Sequence, residues 1–323
     1  MNNILISSKN SIKNTVKLFI KNLFSSSNFK DYISNGNLSY LIDLKIKYFN
    51  LYNKKIILPL LSSYYKINYD YINFIKKDFS LVQFSISSLL RNKTNSFNSI
   101  STSIYIALLK KQSNNWYIEY FSPIECLQDV INDKNNFIYI YNELIEKQII
   151  NYESLLLNFN TIDIMKRSPK EASTITKTLN YNTTKAVYYA EKHALNYNNE
   201  YTSFDENGGD CTNFVSQVLN YGGIKTTPTW KPYTNPWLRV IELRNYLIYN
   251  KLAYESYTLT GNPIGSVIQF FNPTTKIWSH SGIITYNLEG TYLYCCHSYD
   301  KLNYPLSYVY PSIYPKIRII TPY

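Results

Sequence analysis

Histidine is scarce in this chain, with three residues among 323, and two of them, His280 and His297, lie in the last fifty positions. Chemistry that needs an imidazole therefore has few candidates. Cysteine is nearly as rare. Cys126, Cys211, Cys295 and Cys296 form no regular framework, and adjacent residues on a strand point to opposite faces. A disulfide scaffold is excluded, and cysteine usage indicates no compartment. No stretch approaches the ~18 apolar residues of a membrane span. The first residues, Met1 to Ser27, lack the ~7–15 residue apolar core of a secretory signal. A cytoplasmic location is expected, with envelope association or release as the alternatives. No Cys-x-x-Cys or His-x-x-x-His clip occurs, and no basic run is interleaved with aromatics. No cofactor and no specific nucleic-acid readout are expected.

What is abundant is tyrosine, 34 residues against 9 glycines. This is a compositional bias that makes any single tyrosine weak evidence. The net charge is +11 and the pI about 9.1. The basic surface suits anionic polymers, including those of a cell wall.

Along the chain, residues 1–160 read as a small α+β domain of unknown role. Helical patterns fill the first eighty residues, interrupted near Pro59. Ser11–Leu23 is amphipathic, with Ile12, Val16, Phe19, Ile20 and Leu23 on one face. Strand-like runs follow at Ser80–Ile86, Ser99–Leu109 and Asn115–Phe121, the last two joined by a hairpin near Gln112–Asn114. Residues 161–180 lapse into a polar linker.

The C-terminal part, 181–323, places helices before strands. A helix at Thr183–Leu195 is capped by Asn182 or Thr183. A second helix starts at Cys211 and stops at Tyr221-Gly222-Gly223. A third runs over about 238–250. Strands follow at Gly265–Phe271, Trp278–Tyr286, Thr291–His297 and Lys316–Thr321. Between them, Trp230, Trp237 and Trp278 either wall a cleft or pack in the core.

The chemistry centres on Cys211 in Gly208-Gly209-Asp210-Cys211-Thr212-Asn213-Phe214. A helix start favours thiolate through its unpaired N–H groups and its dipole. Asp210 can cap the helix, although its charge opposes thiolate formation. His280, flanked by Ser279, Ser281 and Gly282, can serve as base. His297 can hold the His280 tautomer if the two side chains share a face, and the turn at Asn287–Gly290 leaves that register open. A helix-start cysteine with two strand histidines is the skeleton of a papain-like thiol hydrolase. The rival use of these atoms is a zinc set of Cys211, His280, His297 and Cys295. Asn213 and Gln217, one turn apart, either line the site or brace the helix.

These residues resemble the bacterial putative amidase domain, a branch of the papain-like cysteine peptidases related to cell-wall endopeptidases. The resemblance runs from Tyr181-Asn182 through Asp210-Cys211-Thr212-Asn213-Phe214-Val215-Ser216-Gln217 and Trp278-Ser279-His280-Ser281 to His297, covering about residues 180–323. It implies an α+β, papain-like cysteine hydrolase core. Cys211 would be nucleophile, His280 base and His297 the third polar member. The substrate would be a peptide or peptidoglycan-derived amide, and a catalytically weak glycan- or peptide-binding module is the alternative. One departure is Gly265-Ser266, where the family shows Gly-Asp.

Overall fold

The computed structural model describes residues 2–25, 27–55, 60–92, 98–127, 136–159, 181–259, 261–288 and 291–323. The expected linker 161–180 and Glu289 and Gly290 of the expected turn lie outside the described residues. The fold is α+β, with seven α-helices among the described residues and antiparallel strand pairing. Two compact units form: Met1–Lys55, Tyr65–Ser87 and Ser103–Ile162 in one, and Ile56–Tyr64, Ser88–Thr102 and Asp163–Tyr323 in the other.

The first unit holds helices α1 (Asn2–Phe24), α2 (Gly36–Lys55) and α3 (Phe137–Leu157), strand β4 (Asn115–Pro123) and most of β1 (Leu60–Lys76), β2 (Phe79–Asn92) and β3 (Asn98–Gln112), whose residues 60–64, 88–92 and 98–102 belong to the second unit. Ile12, Val16, Phe19 and Ile20 of α1 are fully buried, as the amphipathic pattern requires. Gln112 pairs with Asn115 across a tight β3–β4 turn in which Ser113 takes φ +54°. One expectation fails here, because residues 60–76 are strand and not helix. The reason is local. Tyr65, Ile67, Tyr69 and Tyr71 are half-buried while Tyr64, Lys66, Asn68 and Asp70 are exposed, a period of two carried by aromatic and β-branched residues.

The second unit comprises α4 (Thr183–His193), α5 (Cys211–Tyr221), α6 (Asn235–Leu238) and α7 (Val240–Tyr249). Strands β5 (Ala253–Ser256), β6 (Val267–Asn272), β7 (Ile277–Leu288), β8 (Thr291–Cys296), β9 (Lys301–Pro305) and β10 (Lys316–Pro322) follow. Asn182 caps α4 by accepting the Lys185 N–H. The strand order is β9-β8-β7-β6-β10-β5. Ile100 and Ser101 of β3 pair with Leu302 and Lys301 of β9.

Alternation along these strands builds a core on each face of the sheet. One face sets Val267, Ile283, Cys295 and Ile320 against Ala186, Phe214, Val215, Val218, Leu243 and Leu247 of the helices. The other gathers Ile268, Phe270, Ile284, Tyr294, Cys296, Tyr314 and Ile317. Helix α5 is buried from Cys211 to Leu219, so it is the central helix of this unit. Gly282 lets β7 lie close to β8, since a Cβ there would come within 2.9 Å of the Cys295 carbonyl oxygen.

Candidate active site

Gly208 and Gly209 take φ +97° and +103°, a left-handed pair that turns the chain into Asp210 and the first residue of α5. Asp210 is 1% exposed and fully engaged. Its Oδ1 accepts the Phe204 N–H at 2.9 Å and the Asn213 side-chain amide at 2.8 Å, and its own N–H donates to Ser298 Oγ. Its Oδ2 lies 2.6 Å from His297 Nδ1. Asp210 stands at the N-cap position but makes no side-chain cap hydrogen bond. The expected capping role is replaced by one of binding His297.

His297 is buried at the end of β8, stacked between Tyr197 at 3.6 Å and Phe214 at 4.2 Å. Its Nε2 lies 2.8 Å from the His193 carbonyl oxygen. A carbonyl only accepts, so Nε2 carries a proton, and a further proton lies between Nδ1 and the Asp210 carboxylate. Both ring nitrogens are therefore occupied. The expectation that His297 accepts from the His280 ring does not hold in this structure. What His297 does instead is tie the end of β8 to the residue before Cys211.

Cys211 is 8% exposed. Its Sγ contacts Thr212 Oγ1 at 3.7 Å, and the Ser281 backbone lies beside the sulfur and favours the thiolate. Thr212 Oγ1 and Ser281 Oγ are 3.4 Å apart, which joins α5 to β7. Burial pushes the thiol up from its ordinary value. The Thr212 and Ser281 hydrogen bonds oppose that rise and the Asp210 charge adds to it. The thiolate expected from helix-start placement alone is thus outweighed by desolvation in the resting structure.

His280 is 3% exposed and directly precedes the residue whose backbone lies beside the sulfur. It stands opposite Phe270 on β6, and cross-strand partners share a face. Its ring lies 5.6 Å from those of Phe270 and Tyr299, and 6.3 Å from that of Tyr314. No hydrogen bond joins it to Cys211, and its buried Nε2 has no hydrogen-bond partner among the described residues. Burial, followed by the Lys301 charge, pushes its pKa down to about 3, so the ring is neutral. The structure therefore brings the His280 backbone to the thiol while the ring faces the aromatic side of the sheet.

The remaining residues sort readily. Asn213 Oδ1 accepts the Trp237 indole N–H at 2.8 Å, and Gln217 Oε1 accepts the Tyr189 hydroxyl at 3.0 Å. Both brace the helix. Trp230 donates to Ser216 Oγ and is buried with Trp237 in the core. Trp278 is half-buried. Ser266, at the position where aspartate was expected, bonds Thr321 Oγ1 at 2.9 Å. Cys295 Sγ pairs with Asn303 while His297 pairs with Asp210, so the four atoms of the zinc alternative have separate neighbours. Among the described residues no group of three or more His, Cys, Asp or Glu is placed to hold a metal ion. Two participants were not foreseen, the Ser281 backbone and the Asp210–His297 pair. The first was signalled only by its place beside His280, and the second by no local pattern.

Residues 180–320 match the family model described as a putative amidase domain. The chain is also similar to a Bacillus subtilis (strain 168) protein described as uncharacterized protein YjcM, at 32% identity over 164 residues. That match spans 47% of this chain and 38% of the relative's length. No solved structure is matched. The matched stretch contains Cys211, His280 and His297 together. Among the described residues no helix is long and apolar enough to cross a membrane.

Proposed function

We propose that the amidase domain is a cysteine-dependent hydrolase of amide bonds, with Cys211 as nucleophile and His280 as base and acid. The observation that carries this reading is the place of Cys211 Sγ at the first residue of α5, with Thr212 Oγ1 at 3.7 Å and the Ser281 backbone beside it. This arrangement seats the sulfur beside the His280 backbone at the start of a buried helix. In the reaction His280 accepts the thiol proton, which requires the β7 segment beside the bulge at Ser279 to re-register so that position 280 leaves Phe270 for the helix face. The thiolate attacks the amide carbonyl carbon and forms a C–S bond. The N–H groups at the start of α5 face the developing oxyanion. His280 returns its proton to the leaving nitrogen as the C–N bond breaks, leaving a thioester and a free amine. Water then loses a proton to His280, adds to the thioester carbon and releases the acid and the thiol. His297 acts in this scheme through Asp210, by holding the turn that presents Cys211. Peptides of the cell wall are the substrate class that the basic charge and the related endopeptidases favour.

The test is amine release from a panel of N-acylated short peptides. The expected result is turnover that disappears in Cys211→Ala, with an acyl adduct on Cys211 trapped by acid quench and seen by mass spectrometry. Turnover that survives Cys211→Ala would sink the reading. One observation favours a second reading, a peptide- or glycan-binding module with little catalysis. The thiol is raised by burial and the imidazole is stacked on Phe270.

A further inference from the structure

A polar row crosses three strands on the helix-facing side of the second unit's sheet. Ser281 on β7 stands opposite Gln269 on β6, and Gln269 stands opposite Arg318 on β10. Neighbouring strands lie ~4.8 Å apart, which places Arg318 on the order of 10 Å from Ser281, the residue at the Cys211 sulfur. A bulge in β7 at Ser279, where Phe270 and Phe271 pair with His280 and Trp278, changes the face that Trp278 occupies. The indole thereby joins Gln269, Phe271 and Arg318 on one face. The Arg318 guanidinium lies 4.3 Å from the Trp278 ring centroid.

Arg318 is 5% exposed. Its Nε donates to Gln269 Oε1 at 2.7 Å, the Tyr257 hydroxyl contacts the guanidinium, and Nη2 is buried with no hydrogen-bond partner among the described residues. All of these contacts are to neutral groups. The nearby carboxylate is Glu255, whose charge acts on Arg318; its Oε2 is bound by Arg244, through Nε at 2.7 Å and through Nη2, while its Oε1 is buried with no hydrogen-bond partner among the described residues. Two guanidiniums thus crowd one carboxylate. Burial lowers Arg318 only to about 10, so it stays charged at neutral pH. A buried cation with an unused donor is costly unless an anion completes it. Exposed Lys316 adds a second positive charge on the same face, its Nζ 5.2 Å from the Phe271 ring.

We propose that Arg318, with Trp278 and Lys316, forms a carboxylate-binding subsite that selects peptides bearing a free carboxylate about three extended residues from the amide presented to Cys211. This assignment rests on the reading of Cys211 for its distance but not for its ligand. A guanidinium fork takes a carboxylate in preference to a neutral amide, and half-buried Trp278 over the guanidinium shifts when Nη2 is engaged.

The experiment uses the full chain carrying Cys211→Ala, with acetyl-trialanine and its C-terminal carboxamide as probes. Binding is followed by tryptophan fluorescence and by calorimetry. The expected result is at least tenfold tighter binding of the free acid, a preference abolished in Arg318→Gln and weakened by salt. Equal binding of the two probes, binding of neither at millimolar concentration, or an undiminished preference in Arg318→Gln would overturn the proposal. Melting temperatures report whether the variant folds. If Arg318→Gln does not fold, Arg318→Lys, which keeps the charge without the fork, must cut the preference at least threefold, and an unchanged preference overturns the proposal. With the nucleophile removed, the outcome does not depend on catalysis. A failure of cysteine chemistry would appear only in turnover and alkylation.

Discussion

His280 is the side chain whose surroundings depart furthest from those of a free imidazole. Burial holds it neutral in the folded chain down to about pH 3, whereas the unfolded chain binds a proton near 6.5. Between those values the unfolded state carries more protons, so folding stability falls as pH drops below about 6.5. The slope from this residue approaches ~1.4 kcal/mol per pH unit. Urea unfolding at pH 7 and pH 5 should therefore show an acid loss that is smaller by about 2 kcal/mol in His280→Gln than in the wild type. An identical loss in both proteins would mean that the ring is solvated. Cys211 and His280 stand out in the sequence because each lies in a short local pattern, a glycine turn before a helix and a histidine among small residues on a strand. The direction of the His280 ring was not legible. It depends on which face of β7 position 280 occupies, and the bulge at Ser279 resets the faces of neighbouring residues.

Elements explain what single residues do not. The helices of the amidase domain were readable from caps and spacing, as Asn182 accepting the Lys185 N–H illustrates. Strands β5 and β9, of four and five residues, carry too little periodicity to read. Strand β1 was masked by the helical pattern before Pro59. The link between β8 and α5 was illegible for a different reason. His297 reaches Asp210 and the His193 carbonyl oxygen across 87 and 104 positions of sequence, and no local pattern encodes such a pairing. Removing the partner of a buried carboxylate leaves it uncompensated and costs ~3–5 kcal/mol. His297→Leu is expected to lose that much in urea unfolding. Asp210→Asn combined with His297→Leu should cost clearly less than the sum of the two single changes. Strict additivity would show that the two side chains do not act as a pair.

For the molecule as a whole, the second unit supplies a buried helix that begins at Cys211 and a strand whose Ser281 lies beside the sulfur while the His280 ring faces the aromatic side of the sheet. The sheet supplies the row that leads to Arg318. The +11 charge is spread over the full chain and favours acidic partners at long range. Affinity for a particular substrate depends on local groups such as Arg318. The central claim is that Cys211 is a nucleophile served by His280. Its most direct test is the rate of iodoacetamide labelling at each of the four cysteines between pH 5 and 9, read by peptide mass spectrometry in the wild type and in His280→Ala. The account predicts that Cys211 labels fastest of the four near neutral pH and that His280→Ala slows it at least tenfold. Labelling of Cys211 no faster than that of Cys126, and indifferent to His280, would contradict it.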